Sequence, residues 1–418
     1  MLRRVLAAGA VPVLVVVCAV WGTYLGRHGS DLDLASPPFV GHVDPRVGIG
    51  TPLAVLTALL VIGLKDRLVE LPWRRLLLTV TAAAVLWSVS LALVDGPGGL
   101  RDPLLSRDQY LHDLPRVHDV TGFLHGFVSH ITAHPGQVRW TTDVAGHPPG
   151  MMLLLAGMRE LGLTGPWPAA VLCVVAGSSA SAAALVTVRR LVDEGTARRA
   201  APFLALLPAA VWVAVSADAL FLGVSAWGIA CLAGSSRRSA LAGGLLMGAA
   251  LVLTYGALTL GVLAATALLW RPRWSRIALA AAGPVVVLGL FALGGFWWWD
   301  GLQETLVRYG QGAGGYRPYG YFLVADLVVL SVAVGPAAVA GLTALHRRDR
   351  LGWLVAAGLL AVALADVSGK SKAEVERIWL LFVPWVAVAS ARLDRARLWL
   401  GVQALTGLVV QTVLVSKW

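Results

Sequence analysis

Long apolar runs separated by short polar segments fill most of this chain. Most of these runs come close to the length that a helix needs to cross a hydrocarbon core of about 30 Å. We therefore predict an all-α fold, a single transmembrane domain over residues 1–418 with about thirteen spans. The predicted spans are residues 5–25, 48–64, 76–93, 168–188, 200–215, 219–234, 240–253, 256–270, 277–296, 322–345, 351–365, 378–390 and 398–415.

The first run follows Arg3 and Arg4, as the apolar part of a secretory signal would. No small-x-small cleavage site follows it, and many further spans come after it. We therefore interpret the run as a retained first span, with the N-terminus in the cytoplasm.

Charge sets the predicted orientation of the bundle. Only 14% of the residues are charged, against about 25% in soluble domains. Seven predicted cytoplasmic segments carry 21 of the 34 Lys and Arg residues but only 6 of the 23 Asp and Glu residues. Because basic loops stay in the cytoplasm, the net charge of +11 indicates a multi-pass plasma-membrane protein without a nucleic-acid partner. The segments are residues 1–4, 65–75, 189–199, 235–238, 271–276, 346–350 and 392–397.

Polar residues gather in one long predicted extracytoplasmic loop, residues 95–167. Apolar side chains in residues 120–131 recur at helical spacing, which predicts an amphipathic helix on the membrane surface. Residues 150–163 are apolar enough to be a span, but a crossing here would place Arg189 and Arg198 outside. We therefore predict a second interfacial helix that does not cross.

This loop supplies the candidate catalytic residues. Asp108 and Asp113 flank Tyr110 just before the amphipathic helix. Burial beside a membrane raises the pKa of a carboxyl group toward the range of a general base. We predict Asp113 first, and Asp108 second, as the catalytic base. The alternative for each is a solvated loop charge.

Histidines also concentrate in the loop, including His125, His130 and His134. Only His130 and His134 have the i, i+4 spacing of zinc-binding helices, and no glutamate accompanies them. We therefore predict no metal ligands and no cofactor.

His147 is a candidate substrate-binding residue. It lies in Gly146-His-Pro-Pro-Gly150, where two prolines lead into a helix. A helix start suits a phosphate group. The alternative is a simple turn into the helix.

Glu374 and Arg377 open the predicted span at residues 378–390, beside the lysines at positions 370 and 372. Such an outer positive cluster is disfavoured by the positive-inside rule unless it has a role. We predict that Arg377 binds a lipid-linked phosphate or diphosphate through a charge-assisted fork. The alternative is an anchor to lipid headgroups.

Arg317 and Asp218 are weaker candidates for substrate binding. Arg317 lies among tyrosines that would stack on a sugar or form an interfacial belt. Asp218 separates two short apolar runs, where a carboxylate is costly unless it is wet or paired. It would line a cavity, or form the polar tip of a hairpin.

No Walker A sequence, no dinucleotide-binding glycine pattern followed by an acidic residue, no G-x-S-x-G and no H-E-x-x-H occurs. An ATPase, a dehydrogenase or a zinc protease therefore has no support. Any group transfer would draw its energy from an activated donor such as a lipid-linked sugar.

The acidic outer loop, the amphipathic helix and His147-Pro-Pro before a non-crossing helix together resemble the GT-C superfamily of membrane glycosyltransferases. The short spans around Asp218 and the span opening Arg377-x-Trp379 are similar to that superfamily too. The likeness covers most of the chain from residue 95 onward. In the commonest pattern of the superfamily the acidic loop follows the first span. The earlier loop therefore offers further candidates for the role of base, namely Asp31, Asp33 and Asp44.

This resemblance implies transfer of a sugar from a polyprenyl-phosphate donor to a glycan or lipid acceptor on the extracytoplasmic face, with inversion. An aspartate of the acidic loop would deprotonate the acceptor, and Arg377 with His147 would hold the leaving phosphate. Some members require a divalent metal and others do not. The Ala, Leu, Val, Gly and Arg bias suggests an actinobacterial source, and the chain resembles the methylthioxylose or mannosyl transferase-like group.

Two other function classes fit a bundle of this kind. A transporter or lipid flippase would carry ionisable residues inside its helices and often an inverted repeat. The sequence shows few charges within spans and no repeat, which favours the glycosyltransferase. A non-catalytic assembly partner is the third hypothesis.

Overall fold

The chain is almost entirely helical in the computed structural model, which describes residues 1–132, 137–270, 272–346 and 349–416. The α-helices of the first half are α1 Leu2–Arg27, α2 Gly50–Gly63, α3 Lys65–Glu70, α4 Trp73–Ala92, α5 Tyr110–Asp113, α6 Val120–Gly126, α7 Ser129–Thr132, α8 Thr142–Gly146, α9 Gly150–Glu160, α10 Pro166–Leu191, α11 Glu194–Ala205 and α12 Ala210–Val213. Those of the second half are α13 Ala217–Leu232, α14 Arg237–Leu253, α15 Gly261–Leu269, α16 Trp274–Leu293, α17 Trp298–Gln311, α18 Ala313–Tyr316, α19 Tyr319–Val334, α20 Pro336–Leu342, α21 Arg350–Val367, α22 Val375–Ile378, α23 Val383–Ala387 and α24 Ala396–Val413.

Short 3₁₀ helices and one small β-ladder complete the secondary structure. The 3₁₀ helices are Leu93–Asp95, Pro97–Leu100, Asp102–Leu105, Leu114–Arg116, Tyr255–Leu258, Trp379–Phe382 and Val388–Arg392. Strand β1, His42–Val43, pairs antiparallel with β2, Leu414–Val415. The predicted helical fold is therefore confirmed, with this two-residue ladder as the departure from an all-α chain.

Five helical segments among the described residues are long and apolar enough to cross a membrane. They are α1, α4 with the turn that follows it, α10, α16 and α21. Helices α19 and α20 add a sixth if their 105° bend lies within one span. The prediction of thirteen spans is not confirmed, because most of the other apolar runs fold into helices of 17 residues or fewer.

The centre of the bundle is a row of helices in the order α4, α10, α13, α14 and α16, each packed against the next. Small residues allow the closest approach. A Cβ atom on Gly283 of α16 would lie 2.1 Å from the backbone of Gly244 on α14. Membrane helices associate through such contacts because lipid supplies no hydrophobic drive between them.

The predicted cytoplasmic segments contact one another at one end of the bundle. Arg4 lies 2.6 Å from Asp394, and Arg397 lies 2.8 Å from Asp66. These pairs join the N-terminus, the segment at residues 65–75 and the segment at residues 392–397. The basic segments therefore share one end, as the positive-inside rule requires.

The predicted extracytoplasmic segments meet one another in the same way. Arg317 lies 3.1 Å from Asp33, and Thr132 donates a 2.8 Å hydrogen bond to Glu304. The ladder of β1 and β2 adds the end of α24 to this group. The two groups of contacts therefore lie at opposite ends of α24, one beside Arg397 and the other at the ladder.

The helix predicted at residues 120–131 forms as α6 and α7, but its apolar face does not lie on the membrane surface. Phe127 and Ile131 are fully buried, and Phe127 packs edge-on against Phe296 at 5.5 Å. Trp140 stacks on Phe127 from the other side. This part of the prediction was wrong, because Phe127 and Ile131 pack into the main hydrophobic core of the protein.

The second predicted interfacial helix is α9, which has 11 residues. At 1.5 Å per residue it is about 16 Å long, which is too short to cross a bilayer. Met151 and Met152 are buried, and α9 packs against α14. Its position at the membrane surface stays a prediction.

Candidate functional site

Three carboxylates from distant parts of the chain meet around the guanidinium of Arg377. Both Nη1 and Nη2 lie 3.1 Å from Oδ1 of Asp143. Nη1 lies 3.2 Å from Oδ2 of Asp218, and Nη2 lies 3.1 Å from Oε2 of Glu374. Arg377, Asp143 and Asp218 are buried. Because a buried charge is costly unless it is paired, each of these groups depends on the others.

His147 completes the group. Its Nδ1 lies 2.8 Å from the backbone carbonyl of Asp143, and its Nε2 lies 4.0 Å from Oδ1 of Asp218. His147 is itself buried. We call the five residues the Arg377 cluster: Arg377, Asp143, Asp218, Glu374 and His147.

Tyr110 lies beside the cluster with its ring 6.1 Å from that of His147. Its hydroxyl is buried and has no hydrogen-bond partner. Burial, followed by the charges of Asp143 and Asp218, raises the pKa of this hydroxyl. Because an unpaired buried hydroxyl is costly, Tyr110 offers an open hydrogen bond next to the cluster.

Short helices hold the cluster in place. Asp143 lies in the first turn of α8, and Asp218 lies in the first turn of α13, where the Ser216 hydroxyl accepts the N–H of Asp218. The positive end of the α13 dipole favours a carboxylate there. Arg377 lies in α22, whose N-cap is Glu374 in a left-handed conformation with φ of 60°. This turn brings Glu374 and Arg377 onto one side of the segment.

Three carboxylates surround one guanidinium in this cluster. Burial alone would lower the pKa of Arg377, but Asp143, Asp218 and Glu374 outweigh it and hold that pKa above its usual value. Burial raises the pKa of Asp143, although Arg377 and His147 act in the opposite direction. The shift moves Asp143 toward the range of a general base at neutral pH.

Glu374 is the accessible partner of Arg377. Its side chain is 28% exposed, against 5% for Asp143 and 2% for Asp218. Ion pairs that reach solvent contribute little free energy, so this is the contact that an incoming anion would replace. The cluster therefore opens toward its surroundings on the side of Glu374.

Asp108 and Asp113, the predicted bases, hold the start of α8. Oδ2 of Asp113 accepts the backbone N–H of Thr141 at 2.7 Å. Oδ1 of Asp108 accepts a 3.0 Å hydrogen bond from the hydroxyl of Thr142. The backbone carbonyl of Asp108 accepts a 3.0 Å hydrogen bond from the N–H of Asp143. Both residues thus fix the helix that presents Asp143 to the cluster.

Arg317 joins the first outer loop to the segment before α22. It donates to the carbonyl of Leu32 at 3.2 Å and to that of Lys372 at 2.9 Å, in addition to its ion pair with Asp33. Its guanidinium lies 5.8 Å from the ring of Phe322. The buried Arg317 side chain therefore connects two outer segments.

Four of the seven predicted site residues meet in the Arg377 cluster: His147, Asp218, Glu374 and Arg377. The other three fix neighbouring segments: Asp108, Asp113 and Arg317. Sequence reasoning did not assign Asp143 or Tyr110 to the site. The available signal for Asp143 was its i, i+4 spacing to His147, which places both near one helix end.

The described residues contain no group of three or more His, Cys, Asp or Glu side chains able to hold a metal ion. His125 and His130 bond instead to the carbonyls of Thr121 and Gly126 four residues earlier. His134, the third histidine considered for a metal, lies outside the described residues.

Comparison with protein-family models finds no match, and comparison with curated proteins finds none. Among solved structures, the chain is similar to three structures of the oligosaccharyltransferase of Archaeoglobus fulgidus. The apo form gives a TM-score of 0.47 at 14% identity, and the complex with Zn and sulfate gives 0.39 at 16%. AglB in complex with an inhibitory peptide and a dolichol-phosphate gives 0.37 at 13%.

Each alignment covers 75% of this chain but only 50%, 48% and 50% of the other chains. The chain therefore spans about half the length of the solved structures that it matches. At these scores and identities the likeness assigns no function to the chain.

Proposed function

We propose that this chain is a membrane glycosyltransferase that moves a sugar from a polyprenyl-phosphate donor to a cell-envelope glycan or lipid acceptor on the extracytoplasmic face of the plasma membrane. The Arg377 cluster carries the proposal. Ionisable residues buried in a membrane bundle are costly and mark functional sites by default. The resemblance of the sequence around His147 and Arg377 to the GT-C superfamily supports the same reaction.

The donor phosphate binds Arg377 in this proposal. Glu374 gives up its contact with Nη2, since it is the exposed partner, and a phosphate oxygen takes its place in a charge-assisted hydrogen bond. His147, whose Nε2 lies 4.0 Å from Asp218, offers a ring nitrogen for a further hydrogen bond to the phosphate. The negative charge of the leaving phosphate is thus balanced where it develops.

Asp143 acts as the general base. It takes the proton of an acceptor hydroxyl, whose oxygen forms a bond to the anomeric carbon. The bond from that carbon to the phosphate oxygen breaks, and the polyprenyl phosphate leaves with the electron pair. Attack opposite the leaving group inverts the anomeric centre. Asp108 and Asp113 position Asp143 through α8.

Binding of a polyprenyl phosphate tests the role assigned to Arg377. The protein is placed in nanodiscs, and the dissociation constant is measured for wild type, Arg377→Lys and the control Arg238→Lys, whose side chain is exposed. Loss of this charge-assisted hydrogen bond and of its planar geometry weakens binding by about tenfold or more. Equal affinity in Arg377→Lys and wild type would reject the phosphate site.

The glycolipid and cell-wall sugar profile of cells tests the role assigned to Asp143. Asp143→Asn removes the base and should lower the transfer rate about 10² to 10⁴-fold. Asp113→Asn keeps an oxygen that accepts the Thr141 N–H, so the sugar profile should stay close to wild type. The reverse result, with Asp113→Asn inactive and Asp143→Asn active, would assign the base to Asp113.

A transporter or flippase is the second candidate, and one observation favours it. Asp326 lies on α19 within a predicted span, and Asp366 lies on α21 one residue beyond one. Both are buried and close enough to interact electrostatically. Intramembrane carboxylates mark ion or substrate pathways in transporters, and the bend between α19 and α20 resembles their broken helices. Solute uptake by vesicles that Asp326→Asn abolishes, with an unchanged sugar profile, would support this function.

A further inference from the structure

We infer that a second site beside the Arg377 cluster binds the uncharged, polyhydroxylated headgroup of a membrane-anchored glycolipid. The inference rests on the proposed function and names the class of its acceptor. The site is a cavity of about 890 Å³ where α1 ends and the first outer loop begins. Ligand sites in proteins commonly enclose about 300–1,000 Å³, so the cavity has room for a sugar headgroup.

Bare glycine backbone forms one wall of the cavity. Gly26 and Gly29 both line it, and a Cβ atom on either would meet nothing within 4 Å. Gly22, one helical turn before Gly26, is packed instead, because a Cβ there would lie 2.6 Å from Pro37 and 2.7 Å from the Tyr321 hydroxyl. The helix is therefore held against the protein at Gly22 and open at Gly26.

The polar lining suits sugar hydroxyls better than phosphate. Asp31 and Asp33 face the cavity together with the donors Arg27 and His42 and the hydroxyl of Ser30. Carboxylates accept hydrogen bonds from hydroxyl groups. The charges of the lining balance, because Arg27 offsets Asp31 and Arg317 pairs with Asp33, so an anion gains no net attraction there. Neighbouring acceptors and donors of this kind match a ligand that has many hydroxyl groups and no charge.

Asp33 is fixed before a ligand arrives. Arg317 holds its carboxylate at 3.1 Å, and its own N–H donates to Oδ1 of Asp31 at 2.9 Å. Asp33 has a φ of 51°, a left-handed conformation that is uncommon for residues other than glycine. A preorganised site loses less conformational entropy when it binds.

The position on α1 points to a ligand that is anchored in the membrane. The same helix exposes Val13, Val16, Val17 and Val20, each at least half exposed. An apolar helix face of this kind is covered by lipid acyl chains in a bilayer. A glycolipid would place its headgroup in the cavity while its tail runs along α1.

The cavity and the Arg377 cluster share one segment of chain. Val40 lines the cavity, and its backbone N–H donates at 2.9 Å to Oε1 of Glu376, the residue before Arg377. Arg317 adds a second connection through the carbonyl of Lys372. One hydrogen bond therefore connects the wall of the cavity to the segment that carries the proposed phosphate-binding residue.

Photo-crosslinking in nanodiscs tests the site with a diazirine-bearing decyl glucoside as the probe. Wild type should be labelled within residues 22–42. Gly26→Leu places a side chain inside the cavity, and labelling there should fall about tenfold, the effect of about 1.4 kcal/mol in binding. The matched control is Gly9→Leu on the same helix, where a Cβ also meets nothing within 4 Å; its labelling should equal wild type.

Two further probes separate the sources of the signal. A diazirine-bearing decyl phosphate should label residues 22–42 weakly, and equal labelling by both probes would overturn the headgroup assignment. Excess free glucose should compete less well than decyl glucoside, and equal competition would overturn the membrane anchor. Equal labelling of Gly26→Leu and Gly9→Leu would overturn the site as a whole.

The outcome is independent of the test of the proposed function. If Arg377→Lys binds polyprenyl phosphate as wild type does while Gly26→Leu loses the glucoside label, the proposed donor site fails and the headgroup site remains. If the label is absent from residues 22–42 but Arg377→Lys loses affinity for polyprenyl phosphate, only the headgroup site fails.

Discussion

Arg377 and Asp143 lie 234 residues apart in the chain, yet both terminal nitrogens of Arg377 contact the same oxygen of Asp143 at 3.1 Å. Both side chains are buried. The pair joins helix α8 of the long outer loop to helix α22. Because each charge is compensated by the other, loss of either one leaves an unpaired charge inside the protein.

A double-mutant cycle should reveal this dependence. Arg377→Met leaves Asp143 and Asp218 without their counterion, and we expect the free energy of unfolding to fall by about 3–5 kcal/mol. Asp143→Asn added to Arg377→Met should recover part of that loss, since one buried charge is removed with it. Unfolding of the purified protein in detergent micelles, followed by tryptophan fluorescence, measures each corner of the cycle.

The control for the cycle is Arg238→Met, because Arg238 is exposed and its replacement should change the free energy of unfolding by less than about 0.5 kcal/mol. An additive cycle, in which the double variant loses as much as the two single variants together, would contradict a direct Arg377–Asp143 pair.

Residue type and spacing predicted four members of the cluster because charges at span boundaries stand out from an apolar background. His147, Asp218, Glu374 and Arg377 were found in this way. Asp143 was not singled out, since it is one of many loop aspartates in the sequence. Its distinction is tertiary: α8 carries it into the cluster, and only the folded chain shows that.

Helical periodicity predicted the amphipathic segment at residues 120–131 but not its partner. A period of 3.6 residues shows that one face of a helix is apolar, and both lipid and protein satisfy such a face. Here Phe127 packs against Trp140 and Phe296 inside the protein. The count of thirteen spans is not confirmed for a related reason, because several apolar runs fold into helices too short to cross alone.

Glu376 should make the stability of the protein depend on pH. Burial raises the pKa of its carboxyl from 4.5 to about 7. Its Oε1 accepts the N–H of Val40, and Oε2 is buried without a partner. A raised pKa in the folded state means that the protonated form is favoured by folding. This contribution is therefore complete below about pH 4.5 and is lost as the pH rises through about 7.

We expect the unfolding temperature of wild type to fall between pH 5 and pH 8 by more than that of Glu376→Gln, which stays neutral at every pH. Differential scanning fluorimetry of both proteins in the same detergent and salt measures the effect. Glu374 and Arg377, whose charges act on Glu376, are present in both proteins. Parallel curves for the two proteins would show that Glu376 is ionised throughout.

A leucine should disrupt the packing of α16 at Gly283 but not at Gly289 of the same helix. Gly283→Leu would force a side chain into the backbone of Gly244 on α14, because even an added Cβ atom would lie 2.1 Å from the nearest atom there. We expect this variant to lose its monodisperse peak in size-exclusion chromatography, because the helices cannot separate without breaking their contact. Gly289→Leu meets nothing within 4 Å and should behave as wild type. Normal chromatography of both variants would contradict the observed packing of α14 and α16.

The separation of the two ends of the bundle predicts the labelling of intact cells. Val120 at the start of α6 is 55% exposed and lies in the predicted outer loop, whereas the exposed Arg238 lies in a predicted cytoplasmic segment. A membrane-impermeant maleimide should therefore label Val120→Cys in intact cells and Arg238→Cys only after permeabilisation. Wild type provides the background, because Cys18 and Cys173 are buried and Cys231 is partly buried.

Labelling of both variants in intact cells would place the acidic loop and the basic segments on one side of the membrane. The Arg377 cluster would then face no extracytoplasmic acceptor, and the glycosyltransferase proposal would fail with the topology.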